Sequence, residues 1–384
     1  MADVNVRVES DVQGSKTKAQ LRAERRAIQE AQRAAKADRL AGGPDGADYS
    51  PQKSDRIGST RLAAVVGSQS PLVGGRSEQS LKSTTITVAE VPDEFKKLFT
   101  DGSMSSRCEE SDSRIGEIAE AVRETIVNFR QSANKSCPRE LDTLFGAAFR
   151  FLSGDCPLPP SVTTLMKQLN WKISLLPDSC AETEAKEALL EWLDDFLEQN
   201  VKLAAKAIAI TVLGILQDMY STPVILTYSN SSLVEMSLRY VHSEGVQFSV
   251  VVIDDVPQSR GFDLMKQFVP SGIQCQYALL NGIRHVLSEV KVVLLGAYGV
   301  LANGNVLTPM GSCQVAQIAG TRNIPVLVLC QTYKFCERVM TSSNEVAWSD
   351  CEVLPSELVT GLVTEIRILP CTAVPAVLRV KQPV

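Results

Sequence analysis

The chain has 384 residues, 44% of them hydrophobic, and a formal net charge of −5. That length allows one or two cored domains plus a tail, and the acidic balance excludes the global basic field of a dedicated nucleic-acid binder. No charge-free apolar run reaches the roughly 18 residues of a membrane span, so no membrane partner is expected. MADVNVRVES has no apolar stretch of secretory type and none of the Arg- and Ser-rich, acid-poor character of a transit peptide, so a cytosolic chain is expected. Ten cysteines are scattered with no C-x-x-C pair, and only His242 and His285 could supply imidazole. Reduced thiols and no metal or cofactor are the expectation, and a histidine-dependent mechanism is disfavoured.

Residues 1–110 are rich in Ser, Gly, Lys, Arg, Asp and Ala and poor in aromatics. GGPDGADYSPQKSD (42–55) and VGSQSPLVGGRSEQS (66–80) have too little apolar surface to offset ordering entropy. A mostly disordered extension is predicted here. Within it KTKAQLRAERRAIQEAQRAAKADRL (16–40) has high helix propensity and a positive charge, but only Leu21, Ile28 and Leu40 are apolar and larger than Ala. Two readings fit it: an arm for RNA, ribosomes or an acidic partner, or a solvated, partly helical tail.

Residues 111–220 read as a helical domain. Ile115, Ile118, Val122 and Ile126 recur at helical spacing, and ELDTLFGAAFRFL (140–152) continues the pattern before CPLPPS (156–161) breaks it. A long helix is predicted over 181–220. Its second half, from Leu203 to Leu216, is apolar nearly all round, which predicts burial on most sides, against the next domain or a partner.

From 221 to 384 the period changes. Apolar β-branched runs at 223–229, 248–254, 275–280, 292–297, 325–330 and 366–370 predict strands. The segments SLVEMSLRYVHSE, FDLMKQFV, GIRHVLSEV, CQVAQIAG and SELVTGLVTE between and after them read as helical. Such alternation predicts a doubly wound, Rossmann-like parallel sheet covered on both faces. The whole is an α/β protein: extension, helical domain, sheet domain. Ligands in such sheets sit beyond the carboxyl ends of strands, which directs attention to the loops at 229–232, 254–261, 297–312 and 331–335.

No phosphate-binding P-loop, dinucleotide fingerprint, nucleophile elbow or H-E-x-x-H pattern occurs in these loops. Ser312, before CQVAQIAG, suits a helix N-cap. Its exposed amides would hold either an anion or only water.

LLGAYGVLANGNVLTPMGSCQVAQIA (294–319) resembles the signature of a sugar-phosphate isomerase superfamily, roughly G-A-D-R-I-A-x-N-G-D-V-x-N-K-I-G-T. It matches at Gly296, Ala297, Asn303, Gly304, Val306 and Gly311, and the likeness extends over 113–384. The superfamily holds methylthioribose-1-phosphate and ribose-1,5-bisphosphate isomerases and the alpha, beta and delta subunits of eukaryotic translation initiation factor 2B. The departures lie at chemistry. The enzymes' aspartate in G-A-D-R is Tyr298 here, and their cysteine falls at Ser229 in ILTYSNSS (225–232). Moving a proton between adjacent carbons needs an acid and a base of suitable pKa. A phenol near pKa 10 and an unactivated serine serve poorly. The enzyme-like N-K pair is Thr308–Pro309, and the phosphate-contacting arginine falls near Val256, with Arg260 close but out of register. The resemblance thus implies a degenerate pocket around Ser229, Asn230, Asp254, Tyr298, Asn303, Gly304, Gly311 and Ser312, with no catalytic residues.

QTYKFCERV (331–339), the ending LPSELVTGLVTEIRILPCTAVPAVLRV (354–380) and the basic extension resemble the delta-type branch. The segment 340–352 is shorter than is usual there. The resemblance implies a non-catalytic regulatory and scaffold subunit of the guanine nucleotide exchange factor for translation initiation factor 2. Its partners would be alpha-, beta-, gamma- and epsilon-type subunits and initiation factor 2, whose alpha subunit is sensed for phosphorylation. The exchange domain would sit on the epsilon type. A sugar-phosphate isomerase and a sugar-phosphate-sensing homodimer are the rival expectations.

Overall fold

Helical periodicity organises the first part of the chain. In the computed structural model α1 (Asp93–Thr100), α2 (Ser111–Asn128), α3 (Cys137–Ser153), α4 (Pro160–Ser174) and α5 (Glu182–Phe196) pack as one layer. The described residues are 91–100, 111–132, 136–153, 158–219, 222–256, 259–341 and 350–381, all within the compact unit Leu81–Val384. Residues 1–90 and 101–110 of the predicted extension, with the candidate helix at 16–40, lie outside them, as does most of the short 340–352 segment; its stretch 91–100 is not disordered but forms α1, because Val91 and Phe95 bury themselves in the helical core. The stripe Ile115, Ile118, Val122 and Ile126 closes on Leu141, Phe145, Leu165, Leu169, Leu189 and Leu193. Pro160 opens α4 at a position where its missing N–H costs nothing.

The helix expected over 181–220 runs from Glu182 to Gln217 in three parts: α5, a π-helical segment Leu197–Leu203, and α6 (Ala204–Gln217). By length and composition it could cross a membrane. It is instead a core helix at both ends. Leu189 and Leu193 lie in the helical core, and Ile208, Val212 and Leu216 lie on the sheet beside Ile225 and Val250. Burial on most sides holds only in part, since Leu203 and Ile210 stay exposed.

The sheet runs β11-β10-β7-β4-β1-β2-β3. Its strands are β1 (Val224–Tyr228), β2 (Ser249–Asp254), β3 (Gln274–Leu279), β4 (Val290–Gly296), β7 (Val326–Leu329), β10 (Gly361–Val363) and β11 (Ile368–Leu369). Leu226 pairs in register with Val251 on one side and Val293 on the other, both parallel; within this sheet only β10 and β11 pair antiparallel. One face carries α6, α7 (Ser232–Ser243) and α8 (Arg260–Phe268). The other carries α9 (Ile283–Val286), α10 (Ser312–Gly320) and α11 (Val374–Lys381). This is the predicted doubly wound α/β arrangement. The chain winds outward from β1 through β2 to β3, then returns to β4 on the opposite side. That reversal opens a crevice between the carboxyl ends of β1 and β4.

Three features differ from expectation. SELVTGLVTE is no helix: a 3-10 turn at Ser356–Leu358 leads into β10, parallel to β7. Gly361 and the β-branched Val359, Thr360, Val363 and Thr364 favour extended backbone there. A second small sheet, β8-β5-β6-β9, was not foreseen; it is built from β5 (Gly299–Leu301), β6 (Val306–Pro309), β8 (Phe335–Cys336) and β9 (Cys351–Leu354). Strands this short carry no readable alternation. Among the described cysteines Cys351 is disulfide-bonded, against the expectation of reduced thiols, while Cys137, Cys180, Cys275, Cys313, Cys330, Cys336 and Cys371 are in no disulfide.

Phe145 is fully buried at the centre of the helical layer. Phe145→Ala is expected to lower stability by about 3–5 kcal/mol, the usual cost of emptying such a site. The shift of the denaturant midpoint at constant slope measures it.

Candidate functional site

The crevice between β1 and β4 is nearly filled. A cavity of about 20 Å³ remains, lined among others by Tyr228, Asn230, Tyr298, Ser312 and Lys334. Ligand pockets for small molecules run to about 300–1,000 Å³, whereas about 10–15 Å³ admits one water. The cavity therefore has room for a water and none for a pentose phosphate. The side-chain Oδ1 of Asn230 is buried there without a hydrogen-bond partner, and one water would satisfy it.

The loops singled out from sequence do converge on this end of the sheet, but the candidate residues divide into three groups. Asn230, Tyr298 and Ser312 line the cavity. Ser229 precedes Asn230 in the left-handed region (φ 58°), with its N–H donating to Ile253 O at 2.9 Å. Gly311 (φ 103°) is not in the lining but packs behind it, since a Cβ there would lie 2.1 Å from Oη of the lining residue Tyr228. Asn303 and Gly304 stand apart in the β5–β6 hairpin turn. Asn303 Nδ2 donates to Met340 O at 2.9 Å, and Gly304 (φ 85°) abuts the Cys371 carbonyl. Their resemblance to an enzyme motif thus reflects a turn that holds the small sheet together.

Asp254 is buried, and its carboxylate is fully engaged. It accepts the Asp255 N–H at 3.0 Å, the Phe262 N–H at 3.1 Å and the Tyr277 hydroxyl at 3.0 Å. It brackets the β2–α8 loop instead of facing the cavity as a base. Arg260, near the position of a phosphate contact, is tied to Asp350 at 3.0 Å. Val256, at that position by motif, is exposed.

Ser312 is not the helix cap. Gly311 occupies the N-cap of α10, and the Ser312 hydroxyl donates to Pro309 O at 2.7 Å. The anion reading of this terminus is answered from within the chain: Glu352 Oε1 accepts the Cys313 N–H at 2.7 Å. A carboxylate at a helix N-terminus is stabilised by the helix dipole. Burial first, then the Glu352 charge, pushes the Cys313 thiol up to about 12.

Two residues were missed. Tyr228 ends β1 and donates its hydroxyl to Met310 O. Burial and then the neighbouring Asp255 charge raise its pKa, so the phenol stays neutral. Lys334 is only 2% exposed, lines the cavity and lies 5.7 Å from the Tyr333 ring. A lysine flanked by Tyr333 and Phe335 directly after a buried strand was the signal for it. Asp254 is thus engaged, Tyr228 is neutral, and the space left in the cavity is about that of one water. Among the described residues no group of three or more His, Cys, Asp or Glu is placed to hold a metal.

Fold and site define a doubly wound α/β protein with a helical layer and a switch-point crevice closed by its own side chains. The chain belongs to the Initiation factor 2 subunit family, whose model matches residues 111–359. It is 27% identical over 303 residues to the translation initiation factor eIF2B subunit delta of Schizosaccharomyces pombe, covering 70% of this chain and 64% of that one. It is 24% identical over 234 residues to the ribose 1,5-bisphosphate isomerase of Methanocaldococcus jannaschii, covering 56% of this chain and 71% of that one. Among solved structures it matches a chain of the tetrameric eIF2B-beta2-delta2 complex from C. thermophilum at 26% identity and a TM-score of 0.66, covering 72% of this chain and 92% of that chain. The superfamily resemblance read from 294–319 is thereby borne out.

Gly311→Ala is expected to cost about 1–3 kcal/mol for the left-handed backbone alone, and more through the Tyr228 contact. Gly320→Ala, where a Cβ meets nothing within 4 Å, is the control and leaves stability within about 1 kcal/mol. Chemical denaturation of both variants measures the contrast. A pH dependence follows from Cys313. In the unfolded chain its thiol ionises near 9.0, while the fold holds the proton to about 12. The unfolded state therefore binds fewer protons above pH 9, and stability falls as pH rises from there. Midpoints measured from pH 8 to 11 should decline, less steeply for Cys313→Ala.

Proposed function

We propose that this chain is a delta-type, non-catalytic subunit of the cytosolic exchange factor that recharges translation initiation factor 2. The observation that carries the reading is the nearly filled crevice: the fold resembles that of sugar-phosphate isomerases, while the cavity at its switch point has room for about one water. The likeness to delta subunits over most of the described chain supports the branch. The chain spans 64% of the fission-yeast relative's length, so what that whole protein does enters here only as proposal.

In this reading the sheet half meets a beta-type sister subunit, since the matched tetramer from C. thermophilum joins beta and delta chains in one complex. A surface suited to this gathers around Asp254. Val256 lies two residues on, Phe262 donates its N–H to the carboxylate, and Leu279 is the register partner of Asp254 on β3. Met310 joins through Asp350, which binds both its N–H and Arg260. All four apolar side chains are exposed. Exposed apolar side chains gathered on neighbouring elements suit an interaction surface. The helical layer would meet the alpha subunit of initiation factor 2. There a phosphate adding about −1.5 to −2 charge would alter docking and so inhibit exchange, with exchange itself performed on the epsilon-type chain. The basic extension, a candidate RNA or partner contact, lies outside the described residues.

Affinity purification of the tagged full chain from cytosol, read by native mass spectrometry, tests the proposal. Recovery with the beta-type and other exchange-factor chains is expected. Met310→Asp should weaken that recovery by about tenfold or more, since a charge is placed in the apolar patch. Recovery only as a homodimer, or turnover of ribose or methylthioribose phosphates in a proton-exchange assay, would overturn it in favour of a sugar-phosphate enzyme or sensor.

A further inference from the structure

The helix Glu182–Gln217 passes from the helical layer to the sheet, and its two halves are out of phase. In α5 the buried stripe is Ala185, Leu189, Leu193 and Phe196. At about 100° per residue a plain α-helix would carry that stripe on to residues seven and fourteen further along. Those residues are Leu203 and Ile210, and they are 51% and 50% exposed. The residues buried in α6 are instead Ala204, Ala205, Ile208, Ala209, Val212 and Leu216, a face centred one or two places later. The π segment Leu197–Leu203 absorbs the difference. Ala204 N–H reaches back to Gln199 O, five residues earlier, so the widened turn holds one residue more than an α-turn and turns the helix back by about 100°. Asn200 Nδ2 donates to Phe196 O at 3.2 Å, satisfying a carbonyl at the irregular turn.

None of the segment's residues is buried. Only Leu197 and Val201 pack, partly buried, against the helical core, and the segment lies where the helix leaves one core and enters the next. Directly before it stands Phe196, packed edge-on against Tyr333 at 6.1 Å between ring centroids and 72° between planes. Tyr333 comes from the sheet half, on the turn after β7 that also presents Lys334 to the crevice. Yet its ring is buried in the helical core.

We infer that Leu197–Leu203 is a pivot on which the helical layer tilts against the sheet layer, with the Tyr333–Phe196 contact as the stop that sets its resting position. The pivot is a one-residue insertion, and it keeps each half of the helix facing its own core while leaving the junction soft. Motion of the helical layer is thereby transmitted to the carboxyl edge of the sheet through Tyr333 and its neighbour Lys334.

Backbone amide exchange on the full chain tests this. Amides of 198–204 should exchange about tenfold or more faster than those of the buried turns on either side. Tyr333→Ala should raise exchange in the same segment further. Deleting Asn200 should convert the segment to plain α-helix, keep a single cooperative unfolding transition and bring its exchange down to that of the flanks. Inserting one alanine after Ala207, inside α6, should abolish cooperative unfolding, because it turns the Ile208–Leu216 stripe off the sheet and the π segment, already one residue long, cannot take it up. Exchange in 198–204 equal to the flanks in the unaltered chain would overturn the inference. So would a deletion at 200 as damaging as the insertion after 207.

Discussion

A parallel strand covered on both faces has no place along its length for polar chemistry, so whatever a doubly wound sheet does must emerge where its central strand stops. Here β1 stops at Tyr228, and the phenol fixes the surroundings. Its hydroxyl reaches the Met310 carbonyl, which holds the loop before α10 against the strand end. Only a glycine fits at 311 beneath the ring. On the other side of the crevice Gly296, ending β4, must also lack a side chain, because a Cβ there would fall 2.2 Å from Ser231 Oγ. The closeness of these backbones leaves the crevice shut, and the functional reading depends on it.

The same tightness ties the two layers together. Gly299 brings β5 so near to α4 that a Cβ would meet Pro160 at 2.5 Å, and Tyr333 reaches from the sheet half into the helical core. Against these close contacts the π segment, with none of its residues buried, is the one irregular turn in the helix that joins the two cores.

The main sheet was legible because buried parallel strands such as VVVID and VLVL are continuous apolar runs, and the amphipathic helices because their stripes repeat on one face. The small sheet was not, since strands of two to four residues pair through long-range contacts that leave no local period. SELVTGLVTE misled because Leu358, Leu362 and Glu365 mimic helical spacing while tertiary pairing with β7 decides the outcome. At the crevice, motif comparison pointed to Ser229 and Tyr298, and Tyr298 does line the cavity while Ser229 directly precedes Asn230 there. It could not separate Asn303 and Gly304, whose part is to turn a hairpin, from residues lining the cavity. Lys334 and Tyr228 escaped because their importance comes from burial, which a motif does not encode.

The bond from Glu352 to the Cys313 amide has a further consequence. This carboxylate is held by the chain itself, so at the α10 terminus it acts as a tethered competitor whose local concentration is of millimolar order or higher. A free phosphate or sugar phosphate arriving at this terminus contends with a ligand that never diffuses away.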